Sequence, residues 1–232
     1  MRLSLSYADL CSMGKHRLRK RRLKIWRSDY LVNKYLWPNI ERAIQEAKDL
    51  VAEPCPLVLD VGCGHKPYRE CFGSVRYLGM DRTSEDSSPD FLGDACCIPI
   101  GTGTVDIVFA TQVIEHVPEP NRMVKEFKRV LKPGGALILS GPMFWPLHEE
   151  PYDFYRFTKY GFAQLLGDAG FSRWSIREDG GDWAQLGLTV CLKFEGFAAI
   201  PLRCLVNVTS EILDAISRSN KCPSNYTVLA ES

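Results

Sequence analysis

Three aspartates, two histidines and one glycine-cornered turn are the residues of this chain whose types and spacing can do chemistry. Asp60 stands two positions before Gly62-Cys63-Gly64, and the turn follows the apolar run Val58-Leu59. A Gly-x-Gly turn after a strand lets backbone approach a bound nucleotide closely. A dinucleotide site asks for a third glycine where this chain has Pro67, and it seats a pyrophosphate on a helix N-terminus. Asp60 would place a negative charge beside that pyrophosphate. S-adenosylmethionine instead joins adenosine to an amino acid through a sulfonium, so a carboxylate near its cationic groups is attractive. Asp60, Gly62, Cys63 and Gly64 therefore favour that cofactor. Alone, such a turn is also the ordinary strand-to-helix corner of any α/β protein, and three segments further along the chain decide between the two.

The first, Tyr77-Leu78-Gly79-Met80-Asp81, is a short apolar strand ending in an acid, placed to accept both ribose hydroxyls. In the second, Gly93-Asp94-Ala95 precedes Ile98-Pro99-Ile100 and the strand Val105 to Ala110. Asp94 can accept from an adenine amino group while neighbouring backbone N–H groups address the ring. The third, Leu131-Lys132-Pro133-Gly134-Gly135, reads as a helix end and turn before the buried strand Ala136 to Leu139. Arg82, Ala95 and Thr111 flank these positions and complete the expected cofactor set.

In this order the motifs resemble the class I S-adenosylmethionine-dependent methyltransferases, and among them the type 11 group. That pattern runs Asp-x-Gly-Cys-Gly, an acid after strand two, Gly-Asp-Ala, Glu-His-Val and Leu-Lys-Pro-Gly-Gly. Here Glu115-His116-Val117 and 131–135 supply the last two. The resemblance spans 57 to about 141 and continues more weakly through Thr158-Lys159-Tyr160-Gly161-Phe162. Lys66 stands where many members have a third glycine, and 82–90 is too polar and turn-rich for the usual second crossover helix.

Alternating strands and helices predict an α/β fold with a mostly parallel sheet covered on both faces. The resemblance implies a Rossmann-like, seven-stranded sheet with its last strand antiparallel. Strands are expected at 57–61, 75–80, about 91–93, 105–110, 136–140, 171–178 and 225–230. Helices are expected over 28–50 in two pieces, with Pro38 opening the second, over 120–130, and over 159–168 behind a Thr158 cap. The organisation reads as a basic arm at 1–27 and one domain at 28–232. Within it lie N-terminal helices at 28–53, a cofactor core at 57–141, a substrate lid at 142–160 and the rest of the sheet at 161–232. In such sheets ligands sit at the carboxyl ends of the strands, where Asp60, Asp81, Asp94 and the 111–117 loop converge.

The 232 residues, 45% of them apolar, suffice for one core. Nine cysteines without a Cys-x-x-Cys pair imply neither a disulfide framework nor a zinc site, and no metal is expected. A reducing, cytoplasmic setting is the expectation. The apolar stretch 186–206 is interrupted by Lys193, Glu195, Pro201 and Arg203, so no transmembrane segment is read. The net charge of +1 conceals eight Lys or Arg and no acid between Lys15 and Arg27, leaving −7 elsewhere. Such a run suits an anionic partner, RNA phosphates or an anionic membrane surface, and equally a solvated arm; Trp26 tilts it toward a peripheral lipid contact.

An activated sulfonium leaves the protein to hold a nucleophile in line and exclude water. A hydroxyl, phenol or acidic carbon also needs a base. His148 in the lid is the first candidate and His116 the second. Tyr152, Tyr155 and Arg156 are expected to line or close the substrate side, although Asp153 and Arg156 pairing to fix the loop is an alternative. The expected reaction is methyl transfer to a small or medium-sized acceptor, foremost oxygen of a sugar, lipid-linked glycan or secondary metabolite. RNA methylation and an inactive, cofactor-binding partner subunit are the alternatives. Neither the acceptor nor the oligomeric state is legible.

Overall fold

The computed structural model describes residues 24–194, 196–217 and 219–232. Seven strands form one sheet: β1 Leu57–Val61, β2 Arg76–Asp81, β3 Phe91–Leu92, β4 Val105–Thr111, β5 Leu131–Pro142, β6 Arg173–Asp179 and β7 Asn225–Glu231. Their order is β3-β2-β1-β4-β5-β7-β6. The first five run parallel, while β7 enters antiparallel between β5 and β6. The expected doubly covered sheet with an antiparallel last strand is what the chain forms.

Alternation along the central strands shows why both faces must be covered. Val58, Ile107, Phe109, Ala136 and Ile138 enter one apolar cluster, and Leu59, Val108, Ala110, Leu137 and Leu139 enter the other. Side chains two apart share a face, so a strand apolar at every position buries both. One face receives α1 (Tyr30–Val51), through Ile40, Ala43, Ile44 and Ala47. The other receives α2 (Pro120–Val130) through Met123, Val124 and Phe127, and α3 (Lys159–Asp168) through Phe162, Leu165 and Leu166. Each fully buried side chain of this size contributes roughly 1.5–3 kcal/mol. Thr158 caps α3 by accepting the Gly161 N–H at 3.1 Å.

The N-terminal helix corrects the expectation of two pieces: α1 is continuous, with Pro38 inside it. Proline removes one intrahelical bond and crowds the preceding turn. Here the buried residues Leu36, Ile40 and Ile44 hold the helix on either side of it. Asn39, beside the proline, donates to Asp179 Oδ1 at 2.6 Å and ties the same turn to β6.

Two helices that no sequence motif marked, α4 (Asp182–Lys193) and α5 (Ile200–Ile216), lie between β6 and β7. They cross where Gly187 meets Ser210; a Cβ on Gly187 would fall 2.1 Å from Ser210 Oγ. Helix α5 has a reversed pattern. Its buried residues are Asn207, Ser210 and Asp214, while Leu202, Leu205, Val208, Ile212, Leu213 and Ile216 are exposed. Asn207 donates to the carbonyls of Ile25 and Arg27 at 2.6 and 3.1 Å, anchoring the end of the basic run on this helix. Most of that run, 15–23, lies outside the described residues. Among the described residues no helix is long and apolar enough to cross a membrane, and the eight cysteines they include are free.

Candidate active site

The carboxyl ends of β1, β2 and β4 meet at the glycine turn. Asp60 is the fourth residue of β1, 3% exposed. It accepts from the Tyr77 hydroxyl at 2.5 Å. Burial pushes its carboxyl up to about 7, partly offset by that hydrogen bond, with Asp81 and Asp90 adding to the rise and Lys66 opposing it.

The chain turns through Gly62 at φ +68° and Gly64 at φ +49°. A Cβ on Gly62 would lie 2.4 Å from Val113 Cγ2, so the β1 and β4 turns approach each other only because this residue has no side chain. Both Gly62 and Cys63 donate to the Met80 carbonyl, at 2.9 and 3.1 Å. After the turn there is only a four-residue 3₁₀ segment, Arg69–Phe72. A pyrophosphate would therefore find no α-helix N-terminus here.

Asp81 closes β2 with each carboxylate oxygen on one backbone donor: Gly64 N–H to Oδ2 at 3.0 Å and Arg82 N–H to Oδ1 at 2.8 Å. Each oxygen has a second lone-pair direction, the arrangement two ribose hydroxyls need. Asp94 Oδ1 takes the Cys96 N–H at 2.8 Å, which orients the carboxylate and leaves acceptor capacity on both oxygens. Ala95 lies within this turn, which the Asp94–Cys97 bridge closes. Thr111 ends β4 opposite Ser140 of β5. Next to it, Gln112 is left-handed at φ +56° and donates to Ser140 Oγ and Asn225 Oδ1.

Lys66 adopts φ +54°, which accounts for glycine at this position in many similar sequences: the backbone is left-handed whatever the side chain. Lys66 pairs with Asp90 at 2.8 Å, and Asp90 Oδ2 accepts the Gly79 N–H at 2.7 Å. Ser88 N–H donates to the Gly64 carbonyl at 2.8 Å. The 82–90 segment forms no helix and instead folds back onto the glycine turn.

Beside these turns runs the 142–160 segment, expected as the lid and so named below, which meets Glu115, His116 and Arg82. Arg156 holds Asp153 with both terminal nitrogens, at 2.6 and 2.8 Å. Its guanidinium also donates to the carbonyls of Trp145, Pro146 and Tyr155. Expected on the substrate side, Arg156 spends every guanidinium nitrogen inside the lid. It holds Asp153 well below the usual carboxylate range, chiefly through these hydrogen bonds. The Tyr155 hydroxyl donates to the Pro118 carbonyl at 3.0 Å. The Arg82 guanidinium lies over the Tyr152 ring, 4.6 Å from its centre, and so joins the 142–160 segment to the residue after Asp81.

Beneath the lid, Glu115, His116 and His148 meet. The Glu115 carbonyl accepts from Phe154 and Tyr155 N–H at 2.9 and 3.3 Å, which brings lid and β4 turn together. The Glu115 side chain is fully buried, and among the described residues neither of its oxygens has a hydrogen-bond partner; His116 Nε2 is buried in the same condition. His116 Nε2 stands 3.8 Å from Glu115 Oε1 and 3.9 Å from Glu149 Oε2, beyond hydrogen-bond length. The His116 and His148 rings are perpendicular neighbours, 4.7 Å apart. Burial pushes the Glu115 carboxyl up to about 8. Burial and the neighbouring His116 hold His148 below its usual value, against the opposing pull of Asp153, so His148 is neutral at physiological pH.

Sequence reasoning placed Glu115 in a motif without giving it a role, and it passed over Asp179. That buried carboxylate accepts from Asn39, Asn225 and Thr227, and burial lifts it to about 6. With Gln112 on Asn225 the network ties the β4 turn to β7, β6 and α1. No spacing in the sequence signals it, because its members come from four distant segments.

Residues 59–139 match the Methyltransf_11 family model, described as a methyltransferase domain. A methyltransferase of uncharacterised function from Mycobacteroides abscessus is 30% identical over 139 residues, covering 53% of this chain and 51% of the relative. The chain thus spans about half the length of that curated relative. Among solved structures, a SAM-dependent methyltransferase from Archaeoglobus fulgidus superposes with a TM-score of 0.55 at 16% identity, covering 86% of this chain and 97% of the other. The phosphoethanolamine N-methyltransferase 2 of Haemonchus contortus, solved in complex with S-adenosyl-L-methionine, gives 0.53 at 16% identity, over 86% of this chain and 56% of the other. Fold, motif order and family match point the same way: residues 59–139 are similar to the methyltransferase domain of the type 11 family model, on a Rossmann-like sheet of the kind found in S-adenosylmethionine-dependent methyltransferases.

Proposed function

We propose that this chain transfers a methyl group from S-adenosylmethionine to a hydroxyl oxygen of a small or medium-sized acceptor. In this reading Asp81 holds the ribose, Asp94 and Ala95 the adenine, and Asp60 the cationic amino-acid end. Gly62, Cys63, Gly64 and Thr111 form the walls, and Arg82 with Tyr152 closes them. When bound, the cofactor supplies an already activated methyl group. The chain's own residues must then seat the acceptor, exclude water and dispose of one proton.

The observation that carries the oxygen assignment is the cluster under the lid. Two imidazoles and a buried carboxylate stand together there, with the Glu115 oxygens and His116 Nε2 lacking partners among the described residues. A neutral amine needs little such help, whereas a hydroxyl gains roughly 10²–10⁴ in rate from proton removal. His148, kept neutral by burial, is the first proton acceptor and His116 the second. Phe144, Tyr152, Phe154 and Tyr155 leave large parts of their rings exposed on the lid, the kind of surface that lines small-molecule sites. This supports a sugar, a lipid-linked glycan or a secondary-metabolite scaffold as acceptor.

The test is incubation with isotopically labelled cofactor and a panel of hydroxyl and amine acceptors. Label is expected in hydroxyl acceptors, and His148→Ala should lower transfer about tenfold or more while cofactor affinity is kept. Label confined to amines, or undiminished turnover of the variant, would refute the oxygen reading.

The reversed helix α5 favours a lipid-linked acceptor over a freely diffusing one. Its exposed apolar stripe lies on the side of the helix opposite Asn207, which holds the chain at Ile25 and Arg27, the end of the basic run. An exposed apolar helix stripe in a chain that also carries a basic run suits an anionic bilayer surface, and that surface is the occupant we assign to the stripe.

A further inference from the structure

We propose that Gln112 binds the methyl acceptor, its side-chain oxygen taking a hydrogen bond from a second hydroxyl, distinct from the one that is methylated. The proposal deepens the hydroxyl-acceptor reading and rests on it. Which end of a side-chain amide is oxygen follows from the groups it meets, and here the run of partners starts from a buried charge. Asp179 is fully buried. Its carboxylate accepts from Asn39 Nδ2 at 2.6 Å, from Thr227 Oγ1 at 2.9 and 3.1 Å, and from Asn225 Nδ2 at 2.6 Å. Burial lifts the carboxyl to about 6 against those hydrogen bonds, with Glu178 adding to the rise, so Asp179 is ionised at physiological pH and can only accept. Asn225 Nδ2 also donates to the Tyr226 carbonyl at 3.1 Å. With two acceptors on that side, Asn225 must turn its nitrogen to them and its oxygen to Gln112. Gln112 must then answer with its own nitrogen, at 2.8 Å.

The second proton of that nitrogen goes to Ser140 Oγ at 3.0 Å, so both protons of Gln112 Nε2 are spent inside the protein. Oε1 is left over. It has no hydrogen-bond partner among the described residues, and it is not sealed from solvent. It can only accept, with two lone pairs to offer. The backbone adds a second sign. Gln112 sits at φ +56°, a region that residues with side chains populate sparsely, and such residues cluster at ligand sites. Its N–H donates to the Ser140 carbonyl at 3.1 Å, which holds it in that conformation.

Position in the sheet assigns this oxygen to the acceptor rather than to the cofactor. Strand β4 lies between β1 and β5. Asp60 and Asp81 stand on β1 and β2, whereas Gln112 reaches the other way, to Ser140 of β5 and Asn225 of β7. The lid starts on that same side, where Met143 and Phe144 N–H donate to the Ser224 carbonyl at 3.0 and 3.1 Å. Ligands of such sheets collect at the strand ends, so one lying there meets the cofactor acids on one side and Gln112 on the other. The hydroxyl that is methylated yields its proton to a histidine, and the donor to Oε1 is therefore another group. An acceptor with at least two hydroxyls follows, which is the chemistry of a sugar. A site that accepts a hydrogen bond rejects an analogue lacking the donor, because its own polar atom is left unpaired.

The experiment is a titration of the full, carbon-labelled chain with ethylene glycol and, separately, with its dimethyl ether, with and without S-adenosylhomocysteine, followed by NMR at the Gln112 side-chain carbonyl. The glycol can donate and the ether cannot. The glycol should shift the Gln112 signal and the ether should leave it in place; no shift with the glycol, or equal shifts with both, would overturn the proposal. With the labelled hydroxyl acceptors, Gln112→Met should raise KM about threefold to tenfold, more than it lowers kcat. An unchanged KM in the folded variant overturns the proposal as well. If the variant fails to fold, the wild-type carbonyl signal decides alone. The two readings fail separately. Methylated hydroxyl acceptors with no glycol shift at Gln112 remove this inference only, and a glycol shift with label confined to amines removes the hydroxyl reading.

Discussion

At the scale of single residues, Asp81 and Asp60 do different work with the same carboxylate. Asp81 is organised by two backbone N–H groups, so its lone pairs are aimed before any ligand arrives. Hydrogen bonds to a charged group are worth roughly 1.5–3 kcal/mol, and about 1.4 kcal/mol is tenfold in affinity. Asp81→Ala is therefore expected to weaken cofactor binding by about 10–100-fold, read by calorimetry; wild-type affinity would remove the ribose assignment. Asp60 is instead buried, and its carboxyl titrates at about 7 among Tyr77, Asp81, Lys66 and Asp90. A cationic ligand favours the ionised form, so binding below that pH must release a proton. Affinity should rise as pH increases through about 7 and level off above it. Asp60→Asn should abolish the slope, and calorimetry in buffers of different ionisation enthalpy detects the proton. These acids were legible in the sequence because each ends or nearly ends a strand before a turn. Glu115 was not legible: its significance is that it lies buried without a hydrogen-bond partner among the described residues, and burial is a property of the fold.

At the scale of elements, the lid is an independent device whose centre is the Asp153–Arg156 fork. The fork holds the carbonyls of Trp145 and Pro146 and, through Asp153, the His148 N–H. Lysine cannot reproduce a planar two-pronged contact. Arg156→Lys should therefore raise hydrogen exchange at His148, Phe154 and Phe157, while the amides of the glycine turn keep wild-type protection; uniform protection would show that the fork is dispensable. Local signals made much of the element map readable: alternation for the strands, helical spacing for α2, the Thr158 cap for α3. The exceptions have tertiary causes. Helix α1 runs through Pro38 because packing on the sheet outweighs one lost bond. Helix α5 escaped notice because it buries Asn207, Ser210 and Asp214 and exposes its apolar stripe, the reverse of the pattern that marks a helix on a core.

At the scale of the whole molecule, the exposed apolar stripe of α5 is the face proposed to meet a membrane, with the end of the basic run held on the same helix by Asn207. That face should bind vesicles containing anionic lipid and ignore neutral ones, with binding weakened by salt. Leu205→Glu together with Ile212→Glu should abolish co-sedimentation without disturbing the core, since both side chains are exposed. Equal partition to neutral vesicles, or no partition at all, would refute the assignment. The sheet order carries a different consequence, one of timing. Strand β7, last in sequence, sits between β5 and β6, and its Asn225 holds Gln112 at the end of β4. A chain emerging from the ribosome displays every cofactor motif from Asp60 to Glu115 long before that strand exists, since domains are made and folded from the N-terminus. The turn after β4 is therefore fixed only when translation of β7 is complete, and a nascent chain carries the motifs before it has the sheet that positions them.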